Sequence, residues 1–424
     1  MHPTLSRLLR RKNRNARPAA AAGRIAPARR SPAPLRAAHL LLPAACFVVA
    51  LAGFNAAQQP RPATVEQPDM TIDAATRTQV IEDTLRNLRE AYVYPETAAR
   101  MEQAVRERAA KKEYEGITSA RQLARTLTEH LQAVSRDKHL RVNYRAAVLG
   151  DGDIPGARII RRMPAGGDGD GNPAGGRRII REPGGATGAA TGTLGLEKVE
   201  TLGGNLGYLD FSLFDPSDEA QAKVSEAMNR LSDTDALIID LRRCRGGARN
   251  TITLLMSYFF DKSVHLSDAY DRVANRTDES WSLADVPGKR YARKDVYILT
   301  SSFTFSAAED VSYTLKNLQR ATIVGETTGG GAHPVRGRRL NDHFFVMVPF
   351  ARYISPVTKT NWEGVGVEPD VRVPAAHALK VAQLAALKKL AAGKPDAKAA
   401  AQLKVLVEAL QKEVDELKRE SPKS

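Results

Sequence analysis

The alternation of buried strands with helical segments between residues 205 and 324 constrains the fold of this chain most strongly. Three apolar runs have the length and composition of buried strands: NLGYLDF (205–211), ALIIDL (236–241) and VYIL (296–299). A fourth strand is predicted at 322–324, and helical patterns cover residues 215–231, 251–260 and 307–318. Such alternation predicts an α/β sheet covered by helices.

A serine stands where the strand at 296–299 leads into the next helix. In VYILTSSFTFSAAED (296–310), Ser306 precedes Ala307 and the start of the helical pattern. A serine at such a junction can expose its hydroxyl beside outward-pointing backbone N–H groups, as a nucleophile requires. The same position also suits an N-cap, so this segment alone leaves both interpretations open.

The first 70 residues predict export. Residues 1–36 contain ten Lys and Arg and no acidic residue, and an apolar run at 40–54 (LLLPAACFVVALAGF) precedes small residues. This order is typical of an export signal, so residues 1–57 are interpreted as a signal or as an uncleaved membrane anchor. Residues 58–70 read as a Pro- and Gln-rich linker. We expect an exported protein of the periplasm or cell envelope.

Helices are also predicted on both sides of the α/β segment. Residues 71–145 carry three helical stripes, which predict an N-terminal helical bundle whose first helix is capped by Asp73 and ended by Pro95. Residues 375–424 form a C-terminal helical extension, which would dock on the protein or join copies into a homo-oligomer. Its apolar stripe consists of Leu403, Leu406, Leu410, Val414 and Leu417.

Two further segments complete the organisation. Residues 146–198 are rich in Gly and are predicted to form a flexible insert. The strand-like segments 344–348 and 353–354 predict a hairpin late in the chain.

Charge and cysteine content exclude several classes of function. The formal net charge is +15, but much of the excess lies in the first 36 residues, so binding to nucleic acid is not expected. Of the two cysteines, Cys46 lies in the leader, which leaves Cys244 as a single thiol. One thiol excludes an internal disulfide framework and a cysteine-based zinc site. Cys244 is interpreted as a small buried residue.

Three features besides Ser306 could take part in chemistry. Gly246 and Gly247 follow the strand ALIIDL and could aim backbone N–H groups at an anion. His139 is one of eight histidines and titrates in the range that a general base needs. Glu363, in NWEGVGVEPD (361–370), could orient such a histidine or simply be a solvated loop carboxylate.

Four motifs together resemble a known family. ALIIDLRRCRGG, VYILTSSFTFSAAED, ATIVGETTGGGAHP and ISPVTKTNWEGVGVEPDV resemble, in that order, the tail-specific (C-terminal-processing) serine peptidases. The branch is the one similar to the tricorn protease core and interphotoreceptor retinoid-binding protein. The resemblance implies a crotonase-like α/β peptidase domain at residues 199–374. It also implies a peptide or protein substrate and requires no metal or organic cofactor.

The resemblance also implies roles for particular residues. Ser306 would be the nucleophile, and the amides of Ala307, Gly246 and Gly247 would form the oxyanion hole. The lysine base of the better-known members is missing, because its place falls within Gly-Gly-Gly at 329–331. The tricorn-like branch uses a histidine and a later glutamate instead, which correspond here to His139 and Glu363.

Several alternatives to these roles stay open. His333 is the rival base, and Glu368 is the rival to Glu363. Cys244 replaces the asparagine usual in the family, and Lys138 replaces the serine that precedes the tricorn-like histidine; Lys138 is expected to point to solvent. The rival function is a non-catalytic binder of apolar ligands or peptides on the same scaffold.

Overall fold

The structure is a computed structural model that describes residues 68–150, 152–154, 193–393 and 396–420. All of these belong to the unit Val65–Ser424. The predictions about the export signal, Cys46 and most of the insert lie outside the described residues. Within the described part of the chain, no helix combines the length and the hydrophobicity that crossing a membrane requires.

A six-stranded sheet forms the centre of the α/β part. Its strands are β2 (Leu196–Leu202), β3 (Leu206–Phe211), β4 (Ala236–Asp240), β7 (Asp295–Thr300), β8 (Thr322–Gly325) and β12 (Val371–Arg372). The order across the sheet is β12-β8-β7-β4-β3-β2. All neighbours pair in parallel except β2, which pairs antiparallel with β3 at the edge.

Helices cover both faces of this sheet. The helices are α4 (Asp218–Arg230), α5 (Arg249–Ser257), α6 (Ala307–Asn317), α7 (Ala378–Gly393) and α8 (Ala397–Glu420). Alternate residues of β4 explain the two layers: Leu237 and Ile239 face the core shared with α4, α5 and α6, whereas Ile238 faces the core shared with α7. The predicted α/β architecture is therefore confirmed.

Three helices precede the sheet: α1 (Ala74–Ala91), α2 (Pro95–Ala110) and α3 (Ala120–Ser135). The Asp73 side chain accepts a hydrogen bond from the Thr76 amide and so caps α1, as predicted. Pro95 does not end α1; it is the first residue of α2. Proline suits that position because the first amide of a helix has no partner within the helix.

The N-terminal helices share their core with strands from much later in the chain. Strands β1 (Arg141–Tyr144), β10 (Phe344–Pro349) and β9 (Val335–Arg339) form an antiparallel sheet in the order β1-β10-β9. Phe344, Val346 and Val348 are buried in the same cluster as the apolar stripes of α1 to α3. The N-terminal unit is therefore a helix-and-sheet layer to which the second half of the chain contributes.

The predicted late hairpin is wrong. Strand β11 (Ala351–Ile354) pairs with β5 (His265–Asp271), which also pairs with β6 (Arg276–Trp281). Only Phe350 separates β10 from β11, too short a connection for the two to fold back on each other. Their apolar faces therefore serve different cores.

The apolar stripe of the C-terminal extension differs from the prediction at one position. Leu403, Val407 and Leu410 pack against the core around α7, and Val414 is buried. Leu406 is 39% exposed, so Val407 takes its place. A helix places residues three and four positions apart on one face, and 403, 407, 410 and 414 follow that spacing.

Candidate active site

Ser306 lies at the sharp turn between β7 and α6. Its backbone angles are φ 57° and ψ −122°, and it is the residue immediately before the first turn of α6. A non-glycine residue rarely adopts a positive φ, and such strain is typical of serines held at a strand-to-helix turn. The turn presents the serine beside the N-terminus of α6, where backbone amides point outward.

Glu309 holds this turn from inside the protein. Its Oε2 accepts hydrogen bonds from the amides of Ser306 (2.8 Å) and Gly331 (2.9 Å). Its Oε1 accepts from the Thr328 hydroxyl (2.5 Å) and the Gly330 amide (2.6 Å). Burial raises the pKa of the Glu309 carboxyl, and these hydrogen bonds oppose that shift. One buried carboxylate thus joins the serine turn to the glycine-rich loop.

Of the predicted oxyanion-hole residues, Gly246 and Ala307 lie at the serine turn, whereas Gly247 packs against the backbone of Phe214. A Cβ added to Gly246 would lie 2.8 Å from both the Ser306 Cβ and the Ala307 amide nitrogen, so only glycine permits this approach. Among the described residues, the amides of Ala307, Gly246 and Gly247 donate no hydrogen bond. Backbone donors close to a serine, such as those of Gly246 and Ala307, are what a developing oxyanion requires.

His139 packs beside the same turn. Its ring centroid is 4.6 Å from that of Phe305, and its Cε1 would lie 2.8 Å from a Cβ on Gly331. The His139 amide donates to Asp137 Oδ1 at 3.0 Å, which fixes the backbone. The Nδ1 atom is buried without a hydrogen-bond partner. Burial is the largest cause that lowers the pKa of His139 to about 4, so the ring is neutral near pH 7.

Glu363 is held by the glycine-rich loop and lies near the His139 ring. Its Oε2 accepts from the amides of Ala332 (2.6 Å) and His333 (3.1 Å), while its Oε1 is buried without a partner. One carboxylate oxygen of Glu363 and one ring nitrogen of His139 lie within 4.8 Å of each other. Burial, with a contribution from Asp137, raises the pKa of Glu363 to about 7. Glu363 is therefore not a solvated loop carboxylate.

Asp137 and His333 form a buried pair behind these residues. The His333 Nδ1 lies 2.7 Å from Asp137 Oδ2, and the Tyr92 hydroxyl donates to the same oxygen at 3.3 Å. The His333 Nε2 is buried without a partner. The pair links the segment after α3 to the glycine-rich loop, and Tyr92 joins it to the end of α1. His333 is only 3% exposed.

Asp137, His139 and Glu363 also each offer one atom that could ligate a metal ion, all within 4.8 Å of one another. Asp137 uses both of its carboxylate oxygens in hydrogen bonds to protein groups. His139 and Glu363 remain, a histidine and a carboxylate of the kind that a proton relay needs.

Two sequence profiles of one family match this chain. The profile described as peptidase family S41 matches residues 205–373. The profile described as the N-terminal domain of Peptidase S41 in eukaryotic IRBP matches residues 74–157. Over these two ranges the chain matches peptidase family S41. The resemblance read from the four motifs is thereby confirmed, including its retinoid-binding-protein branch.

The individual relatives of this chain are distant. It is 28% identical over 179 residues to the chloroplastic carboxyl-terminal-processing peptidase 1 of Arabidopsis thaliana, covering 42% of this chain and 35% of that protein. The chain spans a little over a third of the length of the curated relatives it matches. Among solved structures, the photosystem II D1 C-terminal processing protease aligns with TM-score 0.42 and 18% identity, covering 72% of this chain and 94% of that one. The tricorn protease aligns with TM-score 0.44 and 14% identity, covering 79% of this chain and 37% of that one.

The structure brings most of the predicted S41 site residues to one place. Ser306 adjoins Phe305, and the ring of Phe305 contacts His139. Within the described residues, no hydrogen bond joins the Ser306 hydroxyl to the His139 ring. The Lys138 side chain is exposed, but its Nζ donates to the Gly329 carbonyl at 2.5 Å, so it does not simply point to solvent. Glu368 is exposed and lies away from this cluster.

Sequence reasoning missed two residues that organise the site. Glu309 stands three positions after Ser306, and this serine–glutamate spacing at a helix start is a recognisable capping pattern. Asp137 stands two positions before His139, and no local pattern indicates that it pairs with His333, 196 residues away. Only the folded chain brings those segments together.

Proposed function

We propose that this chain is a serine peptidase that cleaves peptide bonds of exported proteins or peptides through an acyl-enzyme on Ser306. The observation that carries the proposal is the pair of buried, unpartnered atoms His139 Nδ1 and Glu363 Oε1, in residues that approach within 4.8 Å beside the serine turn. Two buried polar atoms without partners are costly unless they bond to each other during function.

In this mechanism His139 takes the proton of the Ser306 hydroxyl as the oxygen attacks the peptide carbonyl. Glu363 accepts the Nδ1–H of the ring and stabilises the imidazolium that forms. The amides of Ala307, Gly246 and Gly247 bind the oxyanion. His139 then gives its proton to the leaving amine, and water releases the acyl group by the reverse path.

The local geometry supports His139 over His333 as the base. His333 already uses Nδ1 in its contact with Asp137 and lies in the interior. His139 instead packs on Phe305, the residue next to the nucleophile. In the absence of substrate, catalytic hydrogen bonds are often long, so a short closing movement of the His139 ring is part of the proposal.

Labelling with a fluorophosphonate probe tests this function. The wild-type chain should be labelled, Ser306→Ala should not, and Ser302→Ala should be labelled normally, because Ser302 is an exposed serine on the same loop. His139→Ala should slow labelling by at least about a hundredfold, the usual contribution of a general base, whereas His333→Ala should slow it less. Absence of labelling in every variant, together with tight binding of an apolar ligand, would instead favour the binder.

Export, membrane anchoring, association through α8 and the crotonase-like assignment stay predictions. The export proposal is supported by the basic and apolar segments at 1–57. Sequencing the N-terminus of the mature protein recovered from the cell envelope tests it. A mature chain that still begins at Met1 in the cytoplasm would contradict it.

A further inference from the structure

Three exposed basic side chains surround the candidate active site. Arg245 immediately precedes Gly246, Lys138 immediately precedes His139, and Arg141 follows two positions later. Within the described residues, none of the three forms an ion pair with a carboxylate. We call Arg245, Lys138 and Arg141 the basic rim.

The lack of acidic partners contrasts with the arginines next to them. Arg242 binds Asp240 at 2.5 Å, and Arg243 binds Asp210 at 2.6 Å, both at the ends of sheet strands. Arg245 comes next after Cys244, yet its guanidinium packs on the Phe303 ring instead of on a carboxylate. Carboxylates therefore neutralise Arg242 and Arg243, whereas Arg245, which precedes Gly246, has no carboxylate partner within the described residues.

The backbone of Arg245 is held between two contacts to the serine turn. The Cys244 carbonyl accepts a hydrogen bond from the Phe305 amide at 3.1 Å. Gly246 packs against Ser306 with no space for a side chain. The Arg245 guanidinium carbon lies 5.5 Å from the centre of the Phe303 ring, and Phe303 is 54% exposed. A cation and an exposed apolar ring therefore stand together beside the nucleophile.

Lys138 and Arg141 place further positive charge on the histidine side of the site. The Lys138 ammonium is tied to Gly329 O at 2.5 Å, which leaves two N–H donors. The Arg141 Nε donates to the Lys138 carbonyl at 3.2 Å, and the charge of Arg141 contributes to the lowered pKa of His139. The charge of Arg141 therefore acts on the imidazole, and the Lys138 ammonium lies against the glycine-rich loop.

We propose that the basic rim selects substrates that carry a carboxylate close to the scissile peptide bond, with Phe303 supplying an adjacent apolar contact. The inference rests on the proposed peptidase function and names its substrate class. The carboxylate comes either from an acidic side chain or from the C-terminus of the peptide, and both have the same charge-assisted hydrogen-bonding chemistry toward guanidinium and ammonium groups. Unpaired cations also attract such substrates over distances of about 10 Å at moderate salt.

Four peptides of one sequence separate the two sources. They carry either Glu or Gln beside the cleaved bond and either a free C-terminal acid or an amide. We expect a higher kcat/KM for the peptides with a carboxylate and expect Arg245→Gln to reduce that preference about fivefold, the size of one exposed charge pair. A preference that follows Glu identifies side-chain recognition, and one that follows the free acid identifies recognition of the C-terminus. Equal rates for all four peptides would overturn the proposal.

Controls separate this proposal from the function on which it rests. Arg276→Gln removes an exposed arginine that pairs with Asp278 on β6 and should leave the preference unchanged. Binding of the same peptides to Ser306→Ala, followed by fluorescence anisotropy, measures selection without hydrolysis. Hydrolysis without carboxylate preference would contradict the basic rim and leave the peptidase intact. Carboxylate-selective binding without hydrolysis by the wild-type chain would support the rim and contradict the peptidase.

Discussion

Replacing Glu309 should show that one buried carboxylate supports the turn that carries Ser306. Each of its oxygens accepts two hydrogen bonds, so Glu309→Ala leaves four buried donors without an acceptor. In Glu309→Gln, the amide oxygen can replace Oε2 and keep the hydrogen bonds from the Ser306 and Gly331 amides. The amide nitrogen should take the Oε1 side, where the Thr328 hydroxyl can turn to accept from it, while the Gly330 amide loses its partner.

The expected losses of stability follow from that count. One orphaned buried donor costs about 1 to 3 kcal/mol, so Glu309→Gln should lower the free energy of unfolding by about that amount. Glu309→Ala should cost more, about 4 kcal/mol or above, because several donors lose their acceptor at once. Urea unfolding measures both values. Hydrolysis should fall further in the Ala variant, because the Ser306 turn and the glycine-rich loop are no longer joined.

Glu368→Gln is the matched control, since Glu368 is an exposed glutamate with one long ion pair to Arg372. It should change the free energy of unfolding by less than about 0.5 kcal/mol. Equal stability losses for Glu309→Gln and Glu309→Ala would refute the argument, because the count of orphaned donors would then not matter.

Three further predictions concern the site and its surroundings. Because burial raises the pKa of Glu363 to about 7, kcat/KM should rise with pH through that value, and Glu363→Gln should remove the rise. The raised pKa also means that the folded state loses stability as the pH increases from the ordinary carboxyl range through about 7. Urea unfolding should show this loss for the wild-type chain and not for the Gln variant. Gly331→Ala places a Cβ 2.3 Å from the Phe305 ring and 2.8 Å from the His139 imidazole, so it should lower kcat much more than Gly116→Ala, which meets open space. The Cys244 thiol is fully buried and its pKa is raised to about 12, so it should react with a thiol reagent only after unfolding; rapid reaction of the native protein would contradict its burial.

The sequence was sufficient to predict strands and helix starts where the local pattern of residues agrees with their burial. The strands at 236–241 and 296–299 are apolar on both faces, because helices cover both sides of the central sheet, and such runs indicate buried strands without knowledge of their neighbours. The cap at Asp73 follows from short-range hydrogen bonding alone. The strand-to-helix position of Ser306 was visible for the same reason.

Long-range pairing was not accessible to the same reasoning. The segment 344–348 has an ordinary strand pattern, and nothing in its sequence indicates that it pairs with β1 rather than with the next strand. The burial of Glu363 depends on its contacts with the glycine-rich loop. The sequence therefore could not decide whether Glu363 orients a histidine or is a solvated loop carboxylate. Lys138 reaches Gly329 only because the N-terminal layer and the glycine-rich loop meet in space.

The sheet that joins β1 to β10 has a consequence for dividing this protein. A fragment made of the first 145 residues would lack the strands that fill its own interior, and a fragment beginning at residue 199 would carry β9 and β10 with their apolar side uncovered. The two fragments should therefore be soluble and active only when they are produced together. Because His139 lies in one half and Ser306 in the other, the proposed base and nucleophile would meet only in a fully assembled chain.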